Sequence, residues 1–268
     1  MNSNFPTNIL QILLLTLVFS ACTKKRTSEL SDAELPTNVL PKMKPVINES
    51  PKLTSDFIAK TKNAIDAFYN KNWPNNSANG SFLVAKNGQI LYERYNGFAN
   101  FNTKKQIDKT TPLHIASVSK VLTAAAILKL INAKKMELDQ KVNTILKEFP
   151  YPDVTIRTLL NHRSGMRNYS YFTDKKEIWD RHNILTNQDI LNIMATKDIG
   201  LESKTDTRFA YCNTNYVMLA LIIEKITKLS FKEAMKQIIF KPLKMKNTFV
   251  MDYEKDRKNI VPSYKGNK

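Results

Sequence analysis

The sequence contains few of the residues that build disulfide or metal frameworks: two cysteines and three histidines among 268 residues. Cys22 and Cys212 stand in unrelated contexts, and His162 has no cysteine or carboxylate at the spacing of metal ligands. The pattern therefore predicts neither a disulfide scaffold nor a metal centre, and we expect no metal and no other cofactor. Internal repeats are also missing, which argues against a repeat architecture.

Acidic residues are outnumbered in this chain. The sequence has 24 Asp and Glu against 41 Lys and Arg, which gives a net charge of +17. Such a charge favours anionic partners such as membranes, acidic envelope polymers or nucleic acid. No nucleic-acid-binding module is recognisable, and aromatic residues do not alternate with the scattered lysines in a strand. We interpret the charge as a solvated basic surface and expect no nucleic-acid partner, with an anionic-surface binder as an alternative.

The first 21 residues contain no charged side chain. Their apolar run at residues 9–19 is too short for a comfortable transmembrane helix and is typical of a signal peptide. It ends in LVFSAC at residues 17–22, which resembles a bacterial lipoprotein cleavage site with Cys22 as the acylated first residue of the mature chain. Phe19 and the lack of Lys or Arg before the run depart from that pattern, so ordinary secretion and an uncleaved anchor stay open.

Residues 22–53 are polar and carry four prolines. Such a composition cannot bury a core and predicts an extended tether, here one that begins at the lipidated residue. The remaining residues 54–268 are long enough for one globular domain. We therefore expect a signal peptide at residues 1–21, a tether at residues 22–53, and a domain held at a bacterial membrane on the periplasmic or extracellular face of the envelope.

The domain begins with an amphipathic helical pattern at residues 54–69, followed by two strand-like runs around Asn87 and Gly88. Asn-Gly supplies the positive φ angles of a tight turn, so these runs predict a β-hairpin. A two-stranded hairpin is marginal alone, and we expect further strands. After residue 114 the patterns are almost wholly helical.

The most informative stretch is HIASVSKVLTAAAIL at residues 114–128. Residues 121–131 are apolar almost all round, which predicts a helix inside the protein. Ser117 and Lys120 stand three apart, on one helical face. A lysine beside an apolar core has a lowered pKa, and its neutral amine can take the proton of the serine. The alternative is structural: Ser117 caps the helix and Lys120 extends to solvent.

A second stretch, RFAYCNTNY, occupies residues 208–216 and contains a Tyr-x-Asn motif at Tyr211 and Asn213. Alone it carries little information, since loops before helices are often rich in Asn. Taken with Ser117 and Lys120, in this order, it resembles the serine β-lactamase and penicillin-binding protein family. The similarity is strongest to the branch of class C β-lactamases, D-alanyl-D-alanine peptidases and related esterases.

Further stretches similar to that family are the hairpin, LLNHRSGM at residues 159–166 and IFKPLKMKNT at residues 239–248. The resemblance implies an α+β fold of the β-lactamase/transpeptidase-like type, with an antiparallel sheet, flanking helices and a helical subdomain. It also implies roles for four residues. Ser117 is the expected nucleophile, Lys120 and Tyr211 share proton transfer, and Asn213 holds the amide side chain of the substrate and helps to orient Lys120. His162 belongs to a stretch that is structural in the family.

The sequence departs from the family in three places. No Lys-Thr-Gly or His-x-Gly strand follows Tyr211, although in the family this strand lines the cleft and supplies the second oxyanion donor. Thr205-Asp206 replaces the usual Pro-Gly, and Lys244 stands where Gly is usual. We therefore expect residues 54–268 to be an incomplete domain, truncated at its C-terminus, that lacks the C-terminal strands and leaves the hairpin with an open edge and an uncovered apolar face.

The sequence thus predicts a serine hydrolase that forms an acyl-enzyme on an amide, lactam or ester of a small-molecule or peptidoglycan-type substrate. The alternative is a catalytically inactive envelope lipoprotein that binds a ligand in a vestigial cleft. A D-alanyl peptidase or esterase is favoured over an efficient β-lactamase, and the sequence does not indicate the oligomeric state.

Overall fold

The computed structural model describes residues 50–257 and 260–264, so the predicted signal peptide, Cys22 and most of the tether lie outside the described residues. The first element is helix α1, Ser55–Asn72. Thr54 caps it by accepting a hydrogen bond from the backbone N–H of Phe57 at 3.3 Å. Such a cap satisfies one of the free N–H groups of the first turn. The amphipathic helix expected at residues 54–69 is therefore confirmed.

The predicted hairpin is present as strands β1, Gly80–Lys86, and β2, Gln89–Asn96. Asn87 and Gly88 form its turn with φ angles of 53° and 75°. The strands are antiparallel, with Phe82 opposite Arg94. Helix α1 packs on this hairpin through an aromatic cluster of four side chains, namely Tyr69, Trp73, Phe82 and Tyr92.

The expected further strands form a second small sheet of β3, Phe98–Asn100, and β4, Lys105–Gln106. Within the described residues, no third strand pairs with the hairpin. Leu83 of β1 and Ile90 of β2 are exposed. In the part of the chain that the structure covers, the hairpin therefore has the open edges and uncovered apolar side chains expected from the sequence.

The rest of the described chain is mainly helical. A short 3-10 turn, Ala116–Val118, leads into the longer helix α2, Ser119–Asn132. The following elements are α3 Ile156–Leu160, α4 Tyr169–Thr173, α5 Asn187–Thr196, α6 Asn213–Thr227, α7 Phe231–Met235, a π-helical segment Lys236–Phe240, and α8 Tyr253–Asp256. Thr155 and Ser230 cap α3 and α7, since their side chains accept backbone hydrogen bonds in the first turns of these helices.

Helix α6 forms the centre of the core. Its side chains Met218, Leu219, Ile222 and Ile223 are fully buried. It packs against α2, α3, α5 and α7. Because α6 begins at Asn213, two residues after Tyr211, the same packing that builds the core also fixes the end of the Tyr-x-Asn motif.

Helix α2 is buried on only one side, so the expectation of a helix inside the protein is wrong for its other face. Ala126, Ile127 and Leu130 are fully buried, whereas Val121 is 68% and Leu128 52% exposed. Val121 and Leu128 are seven residues apart and share one helical face, which no element of the described chain covers. The apolar run therefore predicts the burial of one face of α2 correctly and that of the other face wrongly.

None of the helices in residues 50–257 and 260–264 has both the length and the apolar character needed to cross a membrane.

Candidate active site

Ser117, Lys120 and Tyr211 meet at the amino-terminal end of α2. The Ser117 Oγ lies 2.7 Å from the Tyr211 hydroxyl oxygen and accepts a hydrogen bond from Lys120 Nζ at 3.0 Å. An ammonium group can only donate, so the hydroxyl proton of Ser117 is free to point at the oxygen of Tyr211. The three groups form one chain of hydrogen bonds in which Ser117 is the central member.

The backbone around Ser117 exposes its hydroxyl group. Ala116 has a φ of 44°, in the left-handed region that residues with a side chain rarely adopt. Ser119 donates a hydrogen bond from its Oγ to the Ala116 carbonyl oxygen at 2.7 Å and stabilises this turn. Ser117 therefore stands on a sharp bend immediately before α2, and Lys120 follows in the first turn of the helix.

The loop that carries Tyr211 is held by the backbone of the LLNHRSGM stretch. Ala210 N–H donates to the carbonyl oxygen of His162, and Asp206 N–H to that of Arg163, each at 2.8 Å. Arg163 also forms an ion pair with Asp206, with 3.0 Å between Nε and Oδ1. These contacts place Tyr211 opposite Ser117, although 94 residues separate them in the chain.

Behind Tyr211 lies His162, a residue that the sequence indicated only as structural. The ring centroids of His162 and Tyr211 are 4.6 Å apart with an interplanar angle of 34°. The His162 ring also packs on Tyr216, with 5.3 Å between the two ring centroids. Lys120 Nζ lies 5.0 Å from the centroid of the Tyr211 ring and 5.6 Å from that of Tyr216. The LLNHRSGM stretch marks His162 in the sequence but does not indicate its contact with Tyr211.

The charges of the site act mainly on Tyr211. Interaction with the Lys120 ammonium, and then the hydrogen bond with Ser117, lowers the pKa of the Tyr211 phenol from its ordinary value of 10.0. Tyr211 is half exposed, so water screens part of this effect. Burial, followed by the nearby Lys120 charge, lowers the pKa of His162. The site therefore favours an ionisable phenol next to the serine and an uncharged imidazole behind it.

Asn213 is the first residue of α6 and is partly exposed. Among the described residues, its side chain has no hydrogen-bond partner, and none joins it to Lys120. Its proposed part in binding substrate and orienting Lys120 stays a prediction. Cys212 is buried, and burial raises the pKa of its thiol.

The described residues contain no group of three or more His, Cys, Asp or Glu side chains that could hold a metal ion. The chemistry that the site offers is that of a serine hydroxyl with two adjacent proton-transfer groups.

A family model described as Beta-lactamase matches residues 74–268, which is more than half of the chain. The chain belongs to the β-lactamase family. Members of this family that share its fold include serine hydrolases, and the site of Ser117, Lys120 and Tyr211 lies within the matched residues. The β-lactamase/transpeptidase-like fold expected from the sequence is thus confirmed.

Two relatives illustrate the similarity of this β-lactamase-family chain. A penicillin-binding protein of Bacillus subtilis (strain 168) is 37% identical over 174 residues, which covers 64% of this chain and 38% of that protein. The protein Flp of Staphylococcus aureus (strain MW2) is 30% identical over 174 residues, with 63% of this chain and 34% of that protein covered. The chain thus spans well under half the length of these relatives.

A crystal structure of a penicillin-binding protein from Bacillus halodurans is similar with a TM-score of 0.61 and 26% sequence identity. The match covers 70% of this chain and 56% of that one.

Two residues at which this chain departs from the family pattern both have positive φ angles. Asp206 and Lys244 replace glycines that are usual in the family, and their φ angles are 64° and 55°. Glycine adopts such angles without strain, whereas other residues carry a steric penalty. The Arg163 ion pair offsets part of this penalty at Asp206. Lys244 forms no ion pair among the described residues.

Proposed function

We propose that this chain is the nucleophile-bearing part of a serine hydrolase that forms an acyl-enzyme on Ser117. The observation that carries the proposal is the placement of the Ser117 hydroxyl between Lys120 Nζ at 3.0 Å and the Tyr211 hydroxyl at 2.7 Å. A serine hydroxyl is a weak nucleophile unless an adjacent base removes its proton. Two such groups, from elements far apart in the sequence, lie within hydrogen-bond reach.

In the first step, the Ser117 oxygen attacks the carbonyl carbon of an amide, lactam or ester. Its proton passes to the Tyr211 phenolate, which the Lys120 ammonium stabilises, or to a neutral Lys120 amine. The same pair then returns the proton to the departing nitrogen or oxygen, and the C–N or C–O bond breaks. In the second step, water attacks the acyl carbon, releases the acid and restores the Ser117 hydroxyl.

The developing negative charge on the carbonyl oxygen needs hydrogen-bond donors. The backbone N–H of Ser117 is one candidate, because it lies at the amino-terminal end of the helical segment where the helix dipole favours negative charge. We assign to Asn213 the binding of the amide side chain of a substrate, which its partly exposed position at the start of α6 supports. D-alanyl peptides and simple esters are the substrate classes that we propose.

The test is intact-mass spectrometry of the purified chain after exposure to a fluorophosphonate, with penicillin as a second probe. We expect one adduct on the wild type and none on Ser117→Ala. Folding of both proteins is checked by circular dichroism. A folded wild type without an adduct would contradict the hydrolase proposal and favour a protein that binds a ligand without turning it over.

We propose further that the chain is exported and anchored to a membrane through acylated Cys22. The support is the uncharged apolar leader and the LVFSAC stretch at residues 17–22. Expression with an alkyne-tagged fatty acid tests this proposal. Label is expected on the wild type and not on Cys22→Ala, with Cys212→Ala as the control that retains it. Equal labelling of both variants would contradict the anchor.

A further inference from the structure

The imidazole of His162 has a defined tautomer because of the groups around it. The backbone N–H of Cys212 donates to His162 Nδ1 at 3.2 Å, and a backbone N–H cannot accept. Nδ1 therefore carries no proton, and in the neutral ring the proton is on Nε2. This assignment follows from the donor alone.

The side-chain amide of Asn215 is a second donor to His162 Nδ1 and supports the same tautomer. Ser164 Oγ accepts a hydrogen bond from the Met166 N–H at 3.1 Å and donates its own proton to Asn215 Oδ1 at 2.6 Å. This leaves the amide nitrogen of Asn215 facing His162 Nδ1, at 3.1 Å. Both Ser164 and Asn215 are buried, so the direction of this network cannot be reversed without leaving a buried polar group unpaired.

A proton on Nδ1 would face two N–H donors in this network. The Cys212 bond would be lost, and rotation of the Asn215 amide would deprive Ser164 of its acceptor. The ring packs directly on Tyr211, and the Cys212 N–H belongs to the next residue in the chain. Protonation of His162 therefore disturbs the segment that carries the Tyr211 hydroxyl.

Burial of the ring and the nearby charge of Lys120 also disfavour protonation of His162. Lys120 of α2 contributes a positive charge, and Tyr216 of α6 contributes an aromatic face. Tyr211 and the buried Cys212 thiol come from the loop before α6. In the described part of the chain, no carboxylate is hydrogen-bonded to the ring. The surroundings of His162 are thus those of a neutral imidazole.

We propose that neutral His162 is a positioning residue that holds Tyr211 against Ser117, and that its protonation releases Tyr211 and adds a second acid-side loss of activity. This inference rests on the proposed hydrolase function. Protonation of the Tyr211 phenolate alone makes the logarithm of the rate fall with a slope of one as the pH is lowered. Below the pKa of His162, the second protonation makes this slope steeper.

The chain has only two cysteines and three histidines, so the titration of His162 and its effect on the Cys212 N–H can be measured in the full chain. Labelling with ¹⁵N-cysteine gives backbone amide signals from Cys22 and Cys212 alone, and Cys22→Ser identifies the second. Labelling with ¹³C-histidine gives three imidazole signals, and His162→Asn identifies one. We expect the Cys212 amide proton to move upfield as the pH falls, with the same midpoint as the His162 ring, below the ordinary pKa of 6.5.

The matched variant is His162→Asn. Asparagine tolerates the φ of 59° at this position, and its Oδ1 can replace Nδ1 as the acceptor but cannot be protonated. The measured quantity is the rate of fluorophosphonate adduct formation against pH. The logarithm of the wild-type rate should steepen below the His162 midpoint, whereas that of His162→Asn should keep one slope.

Two results would overturn the proposal. One is a His162 ring that titrates while the wild-type rate keeps a single slope. The other is a ring whose titration leaves the Cys212 amide unchanged. Both can be read on the wild type, so they stand even if His162→Asn fails to fold. Absence of adduct at every pH, with the coupled NMR titrations intact, would contradict the hydrolase function and still support the positioning of the Tyr211 segment by His162.

Discussion

Gly165 lies so close to Ser203 that a Cβ atom at Gly165 would come within 2.0 Å of the Ser203 carbonyl oxygen. Its φ is 78°, which glycine adopts without strain. In the same contact, the Glu202 N–H donates to the Gly165 carbonyl oxygen at 2.8 Å. The loop that leads to Tyr211 is therefore fixed by a backbone approach that only glycine allows.

Gly165→Ala should destabilise the protein by about 3 kcal/mol or more, because it combines a positive φ with a backbone clash. Gly88→Ala is the matched control: its φ is 75°, but no atom lies within 4 Å of the added Cβ. We expect about 1 kcal/mol for the control. Urea unfolding measures both, and equal losses would show that the approach to Ser203 contributes nothing.

Tyr211→Phe should slow fluorophosphonate adduct formation by about 10²-fold or more, since it removes a proton-transfer group and keeps the aromatic ring on His162. Tyr171→Phe is the control, because Tyr171 is exposed on α4. The rate constants come from time courses of intact mass. If Tyr211→Phe reacts as fast as the control, Lys120 alone serves as the base.

Lys120→Met should raise the pKa of the Tyr211 phenol towards 10.0, because Lys120 is the first cause of its lowering. The phenolate absorbance is titrated in Lys120→Met and in the wild type, and the spectra of the same proteins carrying Tyr211→Phe are subtracted. A midpoint that does not move in Lys120→Met would contradict the assigned cause.

The lowered pKa of Tyr211 makes the stability of the fold depend on pH. A phenol whose pKa is lower in the folded than in the unfolded state stabilises the fold fully above pH 10.0, and this contribution is lost as the pH falls through the folded value. The difference in unfolding free energy between wild type and Tyr211→Phe should therefore grow as the pH rises through this interval. Urea unfolding at several alkaline pH values measures it, and a constant difference would argue against the lowered pKa.

Lys244→Gly should stabilise the protein by about 0.5–1 kcal/mol, because it relieves a φ of 55°. Lys241→Gly, three residues earlier, is the control. Its φ is −63°, in the helical region, where glycine destabilises by about 0.5–1 kcal/mol. Thermal unfolding should shift in opposite directions for the two variants, and a shift in the same direction would exclude backbone strain at Lys244.

Local patterns in the sequence predicted the local structure well. The Asn87-Gly88 turn, the helix that begins beside Thr54 and the spacing of Ser117 and Lys120 depend on neighbours within a few residues, and all are present. By contrast, the approach of Tyr211 to Ser117 depends on tertiary packing. No periodicity in the sequence encodes it, and only the family resemblance predicted it.

Two features were not predicted, for the same physical reason. The outward face of α2 is as apolar as its inward face, so composition could not distinguish them. The contact of His162 with Tyr211 joins two loops whose backbones meet only in the folded chain. Both depend on which surfaces face each other, which a single sequence does not reveal.

The exposed side chains of α2 have a consequence for how the chain behaves in solution. Val121 and Leu128 offer an apolar surface on which two copies can associate, while the net charge of +17 repels them. This repulsion extends about 30 Å at 0.01 M salt but only about 8 Å at 0.15 M. Dilute buffer should therefore keep the chain monodisperse, and added salt should promote association, which light scattering of wild type and Leu128→Gln would measure.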